Sequence, residues 1–253
     1  MYSPCFQTKK SGVPVLSKKD IDFIAEQYIV EFQPDILKNP SPVDIDGFLE
    51  NYLGTTPDYQ LLSHNGIYLG MTVFHDTNCI PVYDLANNRA EYISAKANTV
   101  IFDSRLLEEN QEHRYRFTAG HEAGHVVFHT PYFAYYPNQL SLFGDAEPAM
   151  VRCRVDTTKV KNKSFRLISD HDWMEWQANY FSGALLMPQS AVIALANEYD
   201  GPDYLRPWSL IRTLENVFNV SSEAAKHRLT SLNLIEPISE TAFSAFKDFA
   251  LVL

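Results

Sequence analysis

The sequence has few of the features that place a protein in a membrane or outside the cell. Its cysteines are few and odd in number (Cys5, Cys79 and Cys153), which suits a reducing compartment better than a disulfide framework. No apolar run approaches the roughly 20 residues that a membrane-spanning helix needs. Residues 1–20 also lack the apolar core of a secretory signal. We therefore expect a cytoplasmic protein without a membrane partner.

Positive charge is also scarce. The chain of 253 residues has 21 Lys and Arg against 31 Asp and Glu, which gives a formal net charge of −10. General affinity for nucleic-acid backbones needs clustered Lys and Arg. Basic residues do occur in the segment 203–236, which has the pattern of a helix-turn-helix-like pair, but acidic residues alternate with them. We therefore do not expect direct nucleic-acid binding.

An H-E-x-x-H motif at 121–125 is the strongest functional pattern in the chain. His121 and His125 are four residues apart, so on a helix both imidazoles lie on one face and can bind the same metal ion. Zinc lowers the pKa of a bound water toward ~7, and the Glu122 carboxylate beside it can accept the proton. Such a motif predicts a hydrolytic zinc site. Gly124 disfavours the helix by ~1 kcal/mol relative to Ala, which indicates a close neighbour at that position.

His129 lies on the same helix face, four residues beyond His125. A straight helix separates it from His121 by about 12 Å along the axis, too far for both to bind one ion. We interpret His129 as a core histidine or as one that supports a ligand.

A catalytic zinc site needs a third protein ligand and one open position. Glu175 is the best candidate in the sequence. It lies four residues before Asn179, so Glu175 can bind the ion while Asn179 holds a ligand imidazole in the right tautomer. Asp172, one turn earlier, is the alternative ligand, and His171 is a weaker one.

Several segments together resemble the ImmA/IrrE family of metallo-endopeptidases. They are Arg-Phe-Thr-Ala-Gly-His-Glu-Ala-Gly-His at 116–125, Glu-x-x-Ala-Asn-x-Phe at 175–181, Ala-Leu-Leu-Met-Pro at 184–188 and a Phe-Asn-Val-Ser segment beginning at residue 218. The resemblance covers roughly residues 18–235. It implies a gluzincin-like zinc endopeptidase of narrow substrate range, with Zn²⁺ as its cofactor.

The resemblance also implies the kind of substrate. Such proteins often cleave a helix-turn-helix transcriptional repressor of a mobile element, a prophage or a stress response. The alternative is a non-catalytic, zinc-stabilised binding protein that sequesters a regulator. Glu122 favours the enzyme, because a structural zinc site needs no base there and usually closes its fourth position with protein.

The gap between His125 and Glu175 is longer than the family leads us to expect, so we predict an insertion at 131–170. It opens with aromatic residues and its later half is basic. We hypothesise that it forms a lid that selects the substrate, and an ordinary solvated surface loop is the alternative. A tetrahedral intermediate also needs a hydrogen-bonding partner besides the metal. The candidates are Tyr132, Tyr135, Tyr136, His171 and Arg114.

The remaining pattern predicts an α+β fold. We expect helices at 17–33 and 42–53, the second with Ser41 as its N-cap. A small, mostly antiparallel sheet then packs on a zincin-like helical core that carries H-E-x-x-H, with further helices at the C-terminal end. The predicted strands lie at 59–63, 68–74, 80–83, 90–95 and 99–102.

Three regions are expected along the chain. Residues 1–17 form a flexible lead-in, 18–200 form a zincin-like metallopeptidase domain, and 201–253 form a C-terminal helical region. Within the sheet, 98–103 is our candidate for the strand that borders the substrate cleft, and an ordinary interior strand is the alternative. Pro131 is expected just past the end of the metal-binding helix.

Overall fold

A computed structural model of the chain describes residues 2–134, 150–154 and 169–250. The fold is α+β, as predicted. The helices are α1 (Lys18–Phe32), α2 (Ile45–Gly47), α3 (Glu112–Ala134), α4 (Asp170–Leu186), α5 (Gln189–Asn197), α6 (Arg206–Phe218), α7 (Ser222–Ser231) and α8 (Glu240–Ala250).

The described strands form two small sheets. They are β1 (Thr56–Gln60), β2 (Tyr68–Val73), β3 (Thr77–Asp84), β4 (Arg89–Ala95), β5 (Thr99–Asp103) and β6 (Met150–Arg154). The first sheet has the order β1-β5-β2-β6, in which only the β1–β5 pair is parallel. The second sheet is the antiparallel hairpin β3–β4. The mostly antiparallel character predicted from the sequence is therefore confirmed.

Strand β5 does not lie at a sheet edge, where we expected the border of the cleft. It pairs with β1 on one side and with β2 on the other, and all five of its residues are buried. This burial explains its continuous apolar run, which is typical of an interior strand. Strand β6 pairs with the other side of β2. The predicted insertion at 131–170 thus contributes strand β6 to the sheet.

Two helix boundaries also differ from the prediction. The segment expected as a helix at 42–53 begins later, because Asp44 rather than Ser41 is its N-cap and accepts a hydrogen bond from the Gly47 backbone. Pro131 lies inside α3 rather than past its end. The final turn carries Tyr132 and Phe133, both buried in an apolar cluster, and this burial offsets the hydrogen bond that proline cannot donate.

Close contact between α3 and α4 brings the two predicted ligand segments together. A Cβ atom at Gly124 would lie only 2.9 Å from the Cα of Ala178, and one at Gly120 would lie 2.6 Å from Ser182 Oγ. The Ser182 hydroxyl donates a hydrogen bond of 2.8 Å to the Phe117 carbonyl across this contact. The close neighbour expected beside Gly124 is therefore the backbone of α4.

The N-terminal segment, which we expected to be a flexible lead-in, makes defined contacts within the structure. Thr8 and Pro14 form an antiparallel bridge, and Val13 is fully buried in a cluster with Phe74, Phe133 and other apolar side chains. The apolar residues of this short stretch follow no clear periodicity, so the sequence carries no signal for this packing. Burial of Val13 and the turn at Lys9–Gly12 nevertheless fix the segment.

Internal contacts divide the chain into two compact units. One consists of Met1–Ile21 and Asp44–Ser182, and the other of Asp22–Val43 and Gly183–Leu253. The three regions expected from the sequence, 1–17, 18–200 and 201–253, stay a prediction. Among the described residues, no helix is both long enough and apolar enough to cross a membrane.

The second unit contains the expected helix-turn-helix-like pair, α6 and α7. Asn219 ends α6 in the left-handed conformation, and the Ser221 side chain caps α7 by accepting from the Ala224 backbone. Arg228 of α7 is buried and forms a 2.6 Å ion pair with Asp22. The Arg228 side chain is therefore buried inside its own unit and is not exposed for contact with a nucleic acid.

Candidate metal centre

Helices α3 and α4 bring three predicted ligands to one point in the first unit. His121 Nε2 and His125 Nε2 lie 2.9 Å apart. The Glu175 carboxylate lies 3.6 Å from the first nitrogen and 3.3 Å from the second. Within the part of the chain that the structure describes, these residues form the one group of His, Cys, Asp or Glu side chains arranged to hold a metal ion.

The donor atoms fit a small divalent cation. Two ligands about 2.1 Å from a tetrahedral ion are about 3.4 Å apart, which is close to the nitrogen–oxygen distances found here. Glu175 Oε1 is buried and has no hydrogen-bond partner among the described residues. A buried carboxylate oxygen without a donor is costly, and a bound cation would satisfy it. Two imidazoles and one carboxylate are also ligands that zinc accepts.

Polar partners hold the outer nitrogen of each imidazole, and only the partner of His125 is fully buried. His121 Nδ1 lies 3.0 Å from Asn179 Oδ1, the contact expected from the spacing of Glu175 and Asn179. His125 Nδ1 lies 2.9 Å from His129 Nδ1. Each ligand ring is therefore oriented by a contact on its side away from the metal site, as metal-binding histidines usually are.

Burial keeps these histidines neutral. It lowers the pKa of His121 to about 4, helped by the neighbouring His125 and opposed by Glu175 and Asn179. Burial, with a contribution from His171, lowers the pKa of His125 to about 3. The pKa of His129 also lies well below its ordinary value because the ring is buried. A neutral imidazole has a free lone pair, so the site is ready to bind a cation at neutral pH.

Strand β2 supports the predicted base, Glu122. Its Oε2 accepts a 2.6 Å hydrogen bond from Thr72, whereas its buried Oε1 has no hydrogen-bond partner among the described residues. A Cβ atom at Gly70 would lie 2.4 Å from Oε1, so glycine makes room for the carboxylate. Burial raises the pKa of Glu122 well above its ordinary value, while the Thr72 hydrogen bond lowers it and Glu175 raises it. Such a carboxyl group binds a proton more readily than an exposed one does.

The two alternative ligands occupy different positions. Asp172 accepts hydrogen bonds from the backbone and hydroxyl of Ser169 and so caps the start of α4. His171 is 63% exposed, with its Nδ1 3.9 Å from Glu175 Oε1. His171 therefore lies at the rim of the cluster, and neither residue belongs to the three-ligand group.

The candidates for stabilising a tetrahedral intermediate lie in different environments. Tyr132 is buried in the apolar cluster that contains Val13. Arg114 is exposed in the first turns of α3. Tyr135 and Tyr136 lie outside the described residues. His171 Nδ1 lies 3.9 Å from Glu175 Oε1, which places this side chain beside the metal-site residues.

Sequence reasoning missed three residues that support the site: Thr72, Gln177 and Pro14. Thr72 lies in a strand whose register cannot be deduced from spacing. Gln177 had a weak signal, because it is a polar residue between Trp176 and Ala178 that becomes completely buried. Gln177 Oε1 lies 3.0 Å from His129 Nε2, and its Nε2 donates to the Pro14 carbonyl at 2.7 Å.

Comparison with known proteins agrees with this geometry. The family model Peptidase_M78, described as an IrrE N-terminal-like domain, matches residues 168–230. The match includes Glu175 and Asn179 and ends in α7, and it does not extend to the H-E-x-x-H segment. It confirms the resemblance to the ImmA/IrrE peptidases and supports a metallopeptidase-type function. A comparison with curated proteins finds no match.

Proposed function

We propose that this chain, whose residues 168–230 match the IrrE N-terminal-like family model, is a zinc-dependent endopeptidase. It would hydrolyse a peptide bond in a specific protein substrate. One observation carries this proposal most directly. His121, His125 and Glu175 converge on one point, and the adjacent Glu122 has an oxygen without a partner among the described residues. A purely structural metal site would need no such carboxylate.

His121, His125 and Glu175 are the proposed zinc ligands. When bound, the metal would supply Lewis acidity, which polarises a carbonyl and makes a water more acidic. The α3–α4 contact through Gly124 holds the ligands at a fixed separation, and Asn179 and His129 orient the two rings. Manganese and iron accept the same ligand types, so zinc is proposed from the family resemblance and the small donor set.

Glu122 is the proposed proton carrier. Its Oε1 would accept the proton of the water that attacks the substrate carbonyl, and would then deliver it to the leaving amine. Thr72 holds Oε2, so the carboxylate presents the same oxygen in both steps. The raised pKa suits this role, because the carboxylate accepts a proton from water more readily than an exposed carboxylate does, and its acid form can then donate that proton to the amine.

His171 is the proposed stabiliser of the tetrahedral intermediate. It is exposed at the rim of the cluster, close to Glu175, and so can reach a bound peptide without rearrangement of the core. Its imidazole would donate a hydrogen bond to the developing oxyanion. Replacement of His171 should slow turnover without releasing zinc.

The proposed substrate is a helix-turn-helix transcriptional repressor of a mobile element, prophage or stress response. The family resemblance supports this substrate. The same resemblance and the free thiols of Cys5 and Cys79 support a cytoplasmic location. The insertion at 131–170, which adds β6 beside β2, remains our candidate for substrate selection.

Glu122→Gln tests the mechanism. The amide keeps the size and the Thr72 contact but cannot accept a proton, so we expect zinc to remain bound and cleavage of the protein substrate to fall by at least about 100-fold. Cleavage at the wild-type rate would refute the proton-transfer role. If the biological effect persisted in this variant without any cleavage, sequestration of a regulator would replace hydrolysis as the function.

A further inference from the structure

A line of buried hydrogen bonds connects His125 with the backbone of the N-terminal segment. It passes from His125 to His129 at 2.9 Å, from His129 to Gln177 at 3.0 Å, and from Gln177 to the Pro14 carbonyl at 2.7 Å. The three side chains are completely buried, so bulk water does not compete for these contacts. We call these four residues the relay.

The far end of the relay fixes the direction of every hydrogen bond. A carbonyl oxygen only accepts, so Gln177 must donate its amide N–H to Pro14 and turn Oε1 toward His129. Because Oε1 only accepts, His129 must donate from Nε2, and its neutral ring then has a lone pair at Nδ1. That lone pair accepts the hydrogen of His125 Nδ1–H.

This direction has a consequence at the metal site. A neutral imidazole with its proton on Nδ1 has none on Nε2. His125 Nε2 is the atom that lies 2.9 Å from His121 Nε2 and 3.3 Å from Glu175. The relay therefore leaves a lone pair on His125 Nε2, the atom that faces the metal site, in the metal-free protein.

We propose that His129 and Gln177 are positioning residues which, anchored by the Pro14 carbonyl, hold His125 in its metal-binding tautomer. The N-terminal segment around the Thr8–Pro14 bridge is then part of the metal centre, although it supplies no ligand. The purpose of the relay rests on the proposed metallopeptidase function. The tautomer itself is a property of the metal-free protein and can be measured without it.

Two substitutions at Gln177 separate hydrogen bonding from packing. Gln177→Leu keeps much of the volume but removes the acceptor for His129. Gln177→Glu keeps an oxygen that accepts from His129, whether or not the carboxyl group is protonated. Ser182→Ala is the matched control, because Ser182 is also fully buried and the change removes another hydrogen bond of α4 to a backbone carbonyl, the one to Phe117.

The first measurement is the tautomer of each histidine in the metal-free protein, read from nitrogen-15 NMR of the imidazole rings. In the wild type we expect His125 to carry its proton on Nδ1 only. Gln177→Leu should produce a mixture of both His125 tautomers, while His121, held by Asn179, stays unchanged. Gln177→Glu and Ser182→Ala should retain the wild-type tautomer of His125.

The second measurement is zinc affinity by competition with a chromophoric chelator. We expect Gln177→Leu to bind zinc about 10–100-fold more weakly than the wild type, and Gln177→Glu to restore most of the affinity. An unchanged His125 tautomer in Gln177→Leu would overturn the proposal. Equal losses in the Leu and Glu variants would also overturn it, because packing rather than hydrogen-bond direction would then be the cause.

The outcomes distinguish this inference from the proposed function. If wild-type protein binds no zinc, the metallopeptidase proposal fails, while the NMR result still decides whether the relay sets the tautomer. If zinc binds and Glu122→Gln abolishes cleavage but Gln177→Leu behaves as the wild type, the relay fails and the proposed function stands.

Discussion

The Thr72 hydroxyl donates a 2.6 Å hydrogen bond to Glu122 Oε2, and so connects the central sheet with the carboxylate of H-E-x-x-H. The two residues are 50 positions apart in the chain. This bond acts against burial, because it favours the ionised carboxylate whereas burial favours the neutral acid. The balance between these effects decides how well Glu122 can serve as a base.

Thr72→Val should therefore lower the fraction of Glu122 that is ionised at neutral pH. Valine has nearly the same shape but donates no hydrogen bond, so the pKa of Glu122 should rise further. A hydrogen bond to a charged group contributes about 1.5–3 kcal/mol, which corresponds to a shift of about one to two pKa units. The titration of Glu122, followed by carbon-13 NMR of its carboxyl group, measures this shift directly. Thr72→Ser retains the hydroxyl and should titrate close to the wild type; an equal shift in both variants would exclude the hydrogen bond as the cause.

Glu175→Ala should release most of the bound metal. The variant removes one of the three proposed ligands, so we expect a loss of zinc affinity larger than the roughly 10–100-fold typical of residues that only support ligands. Elemental analysis should find about one zinc per wild-type chain and far less in the variant. Asp172→Ala is the control, because it removes the cap of α4 but no member of the ligand group. Zinc loss from the Asp172 variant alone would move the third ligand to that position.

Gly124→Ala should destabilise the protein even though alanine is the better helix former. The new methyl group would lie 2.9 Å from the Cα of Ala178, so backbone must move to admit it. Overpacking should cost about 1–3 kcal/mol and helix propensity should gain ~1 kcal/mol, so we expect a net loss of up to about 2 kcal/mol in the free energy of unfolding. Gly183→Ala is the matched control, since a Cβ there meets nothing within 4 Å. Thermal unfolding should thus shift down for the first variant and not for the second; a Gly124 variant as stable as the wild type would contradict the close helix contact.

Acid should destabilise the metal-free protein through His121 and His125. Their folded-state pKa values are depressed to about 4 and about 3, below the ordinary value of 6.5. The unfolded chain therefore takes up protons first as the pH falls, so stability is full above pH 6.5 and is lost progressively toward pH 4 and below. Thermal unfolding at a series of pH values measures this loss, which we expect to amount to a few kcal/mol.

Two substitutions test the source of the acid sensitivity. His121→Asn should flatten the pH dependence between 6.5 and 4, because it removes one of the groups that titrate. His113→Asn changes an exposed histidine of the same helix and should leave the dependence as in the wild type. If both variants kept the full dependence, other groups would have to account for the acid lability.

Local spacing accounts for the part of the site that could be predicted. His121 and His125 are one helical turn apart, as are Glu175 and Asn179. This spacing can be recognised in the sequence without knowledge of the tertiary structure. The short, β-rich segments likewise predicted a small sheet. Gly124 indicated a close neighbour, which is the backbone of α4.

Contacts between distant segments account for what could not be predicted. The role of Thr72 depends on the register of β2, and that of Pro14 depends on a short N-terminal stretch whose packing is set by Val13. Strand β6 lies in a segment with no clear periodicity and forms by pairing with β2. Pro131 misled the prediction because burial of the following aromatic residues outweighs its local preference.

Pro14 and Gln177, the ends of one hydrogen bond, are separated by 163 positions in the chain. Contacts between such distant segments form late in folding, because a long loop must close before they contribute to stability. A nascent chain that ends before α4 has both histidines of H-E-x-x-H but neither Glu175 nor the amide of Gln177. Tight zinc capture should therefore begin only after α4 has been synthesised, and truncated chains that end near residue 165 should bind zinc no better than an unstructured peptide with two histidines. Truncated chains of the protein would then have no complete metal site and no peptidase activity.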